Sequence, residues 1–276
     1  MSGMGVADAP APAVDTHAHI FTRSMPFAAD AHSRPEYEYP VAAYLADLDR
    51  HGIAYGVVAA ASLFDDGNAY TLAALAAHSR LRGTVIAPPQ TGMRTLRDMA
   101  DLGVVGIRLT WRRLAELPDL DADPWRGFLA RIADSGMHVE LLAGSASLPA
   151  LLPKLAAAGV PVVVDHFGVP SRDAAERQAG TDALLRAIDT GRCWIKLSAG
   201  FRMDLAIAAE VTGQLLDRAG PARLLWGSDA PYVNHETSMT YSGTLALYRR
   251  LVPDATIRAA IDRTALALYF NQESPT

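Results

Sequence analysis

The feature that most constrains this chain is an alternation that runs almost its whole length. Eight short apolar runs, rich in Val, Ile and Leu, take turns with longer amphipathic stretches. The runs read as strands at Val14–Ile20, Tyr55–Ala60, Arg82–Pro88, Val104–Thr110, Met137–Leu142, Val160–Asp165, Cys193–Ser198 and Arg223–Trp226. Between them, Pro40–His51, the stretch ending near His78, Met93–Leu102, the stretch opened by Asp123-Pro124, Leu148–Ala158, Arg172–Asp189 and Leu205–Ala219 carry helical spacing. Strands so uniformly apolar are covered on both faces, which is the signature of a parallel sheet. Units of roughly 25 to 35 residues, repeated eight times, predict an α/β fold of the (β/α)8 TIM-barrel kind. Two further helices, about Ser238–Leu251 and Asp254–Phe270, are expected to close the chain. An open doubly wound sheet is the rival, but no Gly-x-Gly-x-x-Gly turn follows an early strand.

A chain of 276 residues fits one such barrel, so residues 14–276 are expected to form a single domain behind a disordered extension, 1–13, rich in Ala and Pro. Half of the residues are hydrophobic and 20% are charged, enough apolar material for a large core. The net charge of −5 supplies no basic face, which argues against a nucleic-acid partner. The sequence lacks both a signal-type start and any apolar run of membrane-spanning length, so a soluble, cytoplasmic protein with no membrane partner is expected. A homo-oligomer is compatible with all of this. The single cysteine, Cys193, lies in a strand-like run and reads as a buried thiol, with no intrachain disulfide available.

Polar groups cluster where barrel enzymes keep their chemistry, at the C-terminal ends of the strands. The first run carries His17 and His19, two residues apart, which in an extended chain face one side. Ser62, Arg108, Glu140, His166, the stretch from Lys196 to Arg202, and Asp229 follow at the ends of later runs. If each were merely structural, each would need its own partner, because an unpaired buried polar group costs about 1–3 kcal/mol. One shared site is the simpler reading. The loop Phe21–Tyr39 is too long for a plain connector and reads as a lid or substrate loop. His32 within it is expected to be solvated, His51 to cap its helix, and Trp111 either to stack on substrate or to pack at the rim.

Three stretches in this order, Asp15-Thr16-His17-Ala18-His19, Asp165-His166-Phe167-Gly168 and Trp226-Gly227-Ser228-Asp229-Ala230-Pro231, resemble the amidohydrolase superfamily and specifically its amidohydrolase-2 branch. Within that branch the chain is most similar to the 2-pyrone-4,6-dicarboxylate lactonases, through His51-Gly52-Ile53, Ala61-Ser62 with Asp66-Gly67-Asn68, Gly106-Ile107-Arg108-Leu109-Thr110 with Arg112-Arg113-Leu114, and Lys196-Leu197-Ser198 with Arg202. The resemblance implies hydrolysis of a cyclic ester bearing two carboxylates, without a required metal. It places Arg108 and Arg202 at the substrate carboxylates, with Ser62 and Tyr39 assisting. Ala230 and Tyr232 depart from the tryptophan and histidine usual around that proline. Glu140 or Leu142 stands where the fifth strand usually carries a tyrosine. A related lactone is therefore as compatible as the pyrone dicarboxylate.

The residues support the same chemistry on their own terms. Asp229 can accept a proton from water as general base. His17, His19 and His166 can polarise a carbonyl, as donors or as ligands of a Lewis-acidic cation. Arg108, Arg113 and Arg202 can grip carboxylates with their planar forks. The cofactor expectation is none, or one divalent metal, zinc first, on His17, His19, His166 and Asp229. A two-metal centre of the superfamily's common type needs a lysine where this chain has Arg108, and Lys196 is expected to pair with a carboxylate. The alternatives are a zinc-dependent decarboxylase of an aromatic or muconate-type acid, and a non-catalytic barrel that binds an anion.

Overall fold

The computed structural model describes residues 11–65 and 67–271. The expected extension, 1–13, falls mostly outside them, as does Asp66. Eight parallel strands run in sequence order around one sheet: β1 (Val14–Ala18), β2 (Tyr55–Val58), β3 (Leu81–Val85), β4 (Val104–Thr110), β5 (His138–Leu142), β6 (Val162–Val164), β7 (Cys193–Ser198) and β8 (Leu224–Gly227). Among the described residues the α-helices are α1 (Val41–Arg50), α2 (Gly67–Ala77), α3 (Met93–Asp101), α4 (Trp125–Asp134), α5 (Leu148–Ala157), α6 (Ala174–Asp189), α7 (Leu205–Ala219), α8 (Tyr241–Leu251) and α9 (Ala255–Phe270). The expected TIM barrel with two added C-terminal helices is the fold observed.

Local chemistry explains where the helices begin. Asp173, Asp204, Thr240 and Asp254 each offer a side-chain oxygen to a backbone N–H in the first turn of α6, α7, α8 and α9. Thr240 is why α8 starts at Tyr241 and not at Ser238. The sheet closes by bringing β8 against β1, with Asp229 N donating to His17 O (2.7 Å) and His19 N to Ala230 O (2.8 Å). This seam needs Gly227, since a Cβ there would lie 2.5 Å from His17 Cβ and 2.8 Å from His17 N.

The two ends of the barrel interior differ in character. At the N-terminal end, Val14, Val57, Val163 and Leu225 pack with Ala265 and Tyr269 of α9, which plugs the barrel. Asp262 on that helix accepts hydrogen bonds from Ala13 N (2.7 Å) and Val14 N (3.2 Å), fixing the start of β1. Toward the other end the interior turns polar: Glu140, Asp165, Lys196 and His17 are all fully buried.

Candidate active site

His166 and Asp229 are set by unusual backbone as well as by strand order, and His17 by its place in β1. His166 and Asp229 stand just past β6 and β8 with φ of 52° and 60°, the left-handed region that non-glycine residues seldom enter. Such strain costs on the order of 1–3 kcal/mol per residue and concentrates at functional sites. The turn aims each side chain back across the barrel mouth, towards His17 and His19. His17 and His19 meet edge to face with ring centroids 4.9 Å apart, and His17 and His166 at 4.7 Å.

The four expected catalytic groups converge on one atom. Asp229 Oδ1 lies 3.7 Å from His17 Nε2, 3.5 Å from His19 Nε2 and 3.8 Å from His166 Nε2. Its other oxygen accepts a 2.6 Å bond from Arg202 Nε. Burial alone would raise the pKa of this carboxyl. The Arg202 guanidinium, with His166 and His17, instead holds it well below the usual carboxylate range, so Asp229 is ionised. On the imidazoles burial outweighs the opposing pull of Asp165 and Asp229: it lowers His17 well below its ordinary value and His166 to about 4, so both are neutral near pH 7.

Each ring is held from its far side. His19 Nδ1 lies 2.8 Å from Ala59 O, and a carbonyl only accepts, so Nδ1 carries a hydrogen and Nε2 is the atom turned towards Asp229. His166 Nδ1 pairs with Ser198 Oγ at 2.8 Å. His17 Nε2 is buried with no hydrogen-bond partner. A substrate oxygen or a cation would satisfy it. Three imidazole nitrogens and a carboxylate oxygen suit a tetrahedral divalent metal in donor type, and His17, His19 and Asp229 present atoms within 4.8 Å of one another.

Beneath this trio lies a layer of buried charge. Lys196 Nζ donates to Glu140 Oε2 at 2.5 Å, as expected of a lysine seeking a carboxylate. Arg108 Nε and Nη2 reach Asp165 Oδ2 at 3.1 and 2.9 Å, Arg108 Nε lies 3.1 Å from Glu140 Oε1, and Nη1 donates to Ala60 O at 2.6 Å. Burial raises Glu140, and so does Asp165. Asp165 itself would be raised by burial, yet His17, Lys196 and Arg108 hold it well below its ordinary value. With Asp229 included, the carboxylates of Asp165, Glu140 and Asp229 are matched by Arg108, Lys196 and Arg202.

The structure also shows what else the expected clamp residues touch. Arg108 and Arg202 face the pocket, but both are committed chiefly to the site's own carboxylates; Arg202 also donates to Val233 O at 2.8 Å. Tyr39 does not reach the pocket, because its hydroxyl donates to Asp47 at 2.7 Å and the ring packs near Tyr44. Ser62, Arg113, Arg112 and His32 do line it. Among the described residues, neither Arg112 nor Arg113 meets a carboxylate at ion-pair distance. Burial and the charges of Arg113 and Arg202 lower Arg112, and burial together with Arg113, Arg112 and Arg202 lowers His32. The pocket wall thus carries the positive charges of Arg112 and Arg113 beside a His32 held towards its neutral form.

Sequence reasoning did not single out Asp165 or Arg112. Asp165 was visible in the Asp-His-Phe-Gly stretch, and Arg112 adjoins Arg113, but only the fold shows that Asp165 is buried among Arg108, Lys196 and His17 and that Arg112 lines the pocket. Trp111 proves to be rim packing, T-shaped against Trp125 at 5.1 Å, and His51 caps α1 through Asp47 O. Tyr241 donates to the buried Asp15, away from the pocket. Cys193 is buried as expected, its thiol pushed up to about 12.

The chain is similar to known proteins over most of its length. Residues 14–270 match the amidohydrolase family model Amidohydro_2. The chain is 27% identical over 266 residues to 4-sulfomuconolactone hydrolase of Rhizobium radiobacter, covering 91% of this chain and 87% of that one. A candidate 2-pyrone-4,6-dicarboxylic acid hydrolase from Pseudomonas putida superposes with a TM-score of 0.85 at 35% identity, covering 94% and 97% of the two chains. Another from Acinetobacter baumannii, solved with citric acid bound, gives 0.87 at 28% identity over 94% and 99%. Strand-end histidines, a closing aspartate and a family match that spans the barrel lead to one conclusion: this chain belongs to the amidohydrolase family.

Proposed function

We propose that this enzyme opens a small lactone that carries two anionic groups, by attack of water. The observation that carries the reading is the convergence of three imidazole Nε2 atoms within 3.5–3.8 Å of Asp229 Oδ1, in a site whose pocket also carries Arg112 and Arg113, which meet no carboxylate at ion-pair distance among the described residues. The substrate's anionic groups bind at Arg112 and Arg113, with Ser62 and the remaining N–H groups of Arg202 and Arg108 at the pocket wall. The carbonyl to be attacked then faces the imidazole trio. A water donates to His19 Nε2 and to Asp229 and passes a proton to Asp229 as it adds to the carbonyl carbon. Asp229 is a weak base because Arg202 stabilises its charge, so polarisation of the carbonyl oxygen by the imidazoles supplies much of the barrier lowering. Collapse of the tetrahedral adduct breaks the bond from the carbonyl carbon to the ring oxygen, which takes the proton held by Asp229, so that Asp229 returns to its ionised form and an open-chain acid is left.

A divalent metal held by His17, His19, His166 and Asp229 would supply Lewis-acid polarisation of the same oxygen. The charge balance of the pocket supports the metal-independent version: the buried carboxylates are already matched by cations, and a dianionic substrate is matched by Arg112 and Arg113. The relatives that reach useful identity are named for lactone hydrolysis, and one was solved with a tricarboxylic acid. That favours lactone opening over decarboxylation or a silent binding barrel. The test is turnover of a panel of lactones, dianionic, monoanionic and neutral, by protein of measured metal content, with and without chelator. Hydrolysis of the dianionic members that survives chelation is expected; turnover of aromatic acids alone, or of nothing, refutes the proposal.

A further inference from the structure

We propose that Lys196 is a positioning residue that fixes the tautomer of His17, so that His17 offers an Nε2–H to the substrate carbonyl instead of a lone pair to a metal. Lys196 Nζ lies 3.1 Å from His17 Nδ1 with hydrogen-bond geometry, and an ammonium can only donate. Nδ1 must then accept, and the single proton of the neutral ring sits on Nε2, the atom that faces Asp229. Asp165 Oδ1 is also close to His17 Nδ1, at 3.2 Å, but that contact falls outside hydrogen-bond geometry, whereas the lysine contact meets it. Lys196 is held there by Glu140 at 2.5 Å and stands 3.4 Å from Asp165, all with no exposed surface.

Metal-binding histidines have the opposite arrangement, donating the distal N–H to a carboxylate or carbonyl so that the proximal lone pair meets the ion. His19 has that arrangement through Ala59 O; His17 does not. The trio therefore contains one ring built to donate and one built to accept. That is the pairing a hydrolysis without metal requires: His17 for the carbonyl oxygen and His19 for a proton of the water. Assignment of His17 to the carbonyl rests on the proposed lactone hydrolysis, whereas the tautomer does not.

The experiment uses the full chain labelled with 15N-histidine and long-range proton–nitrogen correlation spectra, with His17 assigned from its missing signals in His17→Asn. In the wild type, His17 is expected to carry its proton on Nε2. In Lys196→Met combined with Glu140→Gln, which removes one charge of each sign, the proton is expected to move to Nδ1 beside Asp165, and zinc affinity by titration calorimetry to rise at least tenfold. A wild-type His17 protonated on Nδ1 overturns the proposal even if the double variant does not fold. So does a folded double variant with its proton still on Nε2 and unchanged zinc affinity. Neither readout uses turnover, so failure of the lactone panel leaves this test intact, and the reverse also holds.

Discussion

His138 sets an acid limit on stability that can be worked out from its surroundings. It begins β5, is 5% exposed, and its Nε2 has no hydrogen-bond partner. Burial, and secondarily the charge of Lys196, lowers its pKa from 6.5 to about 3. The unfolded chain therefore binds a proton here that the native state refuses, so this residue makes stability fall as pH drops from about 6.5 towards 3. Between pH 7 and pH 5 the loss from this one residue is about 2 kcal/mol, and about 4–5 kcal/mol if acidification is carried through to pH 3. Replacement by Leu removes the titration while keeping an apolar group against Tyr269, whose ring lies 5.8 Å away. Urea denaturation of wild type and His138→Leu at pH 7, 6 and 5 gives the comparison. The wild type is expected to lose about 2 kcal/mol more than the variant between pH 7 and 5. Parallel pH profiles for the two proteins would refute the reasoning, since they would mean that His138 accepts its proton in the native state.

Further outcomes are expected at the site. Asp229→Asn should lower kcat roughly 10²- to 10⁴-fold with an unchanged circular dichroism spectrum, as removal of a general base does. Arg112→Met with Arg113→Met should raise KM roughly tenfold to hundredfold for dianionic lactones while leaving neutral ones nearly unaffected, which a KM comparison across the panel reads directly. Lys196→Met alone should cost about 3–5 kcal/mol in urea denaturation, because it strands Glu140 and Asp165 as buried carboxylates with too little compensation. Gly227→Ala should reduce both thermal stability and kcat, since the new Cβ must displace His17.

The barrel was legible because its signal is periodic and repeated. The expected bounds of β4 and β7, Val104–Thr110 and Cys193–Ser198, and of α7, Leu205–Ala219, are those observed. Apolar runs between turn signals define such elements locally, so no long-range knowledge is needed. The four groups at the site's centre were legible for a related reason: a parallel barrel carries the end of every strand to one mouth. The roles of the arginines were not. Whether Arg108 grips a ligand or Asp165 depends on which carboxylate the neighbouring strand carries and on its register, and β6 lies two strands away from β4. Tyr39 was misread in the same way, because Asp47 competes for its hydroxyl from a helix that a linear reading cannot orient. His32 is exposed, as its polar loop suggests, and that loop folds back through the Phe21–Tyr39 bridge so that His32 also stands at the pocket wall.

The seam between β8 and β1 has a consequence for biosynthesis. Every imidazole of the reacting trio has been translated by residue 166, but the carboxylate they surround arrives only with the last strand, and its backbone N–H must bond to His17 O before any of the four is in place. A growing polypeptide on the ribosome can thus assemble most of the wall with no competent centre inside it. Activity switches on in a single closing event that joins the two ends of the chain.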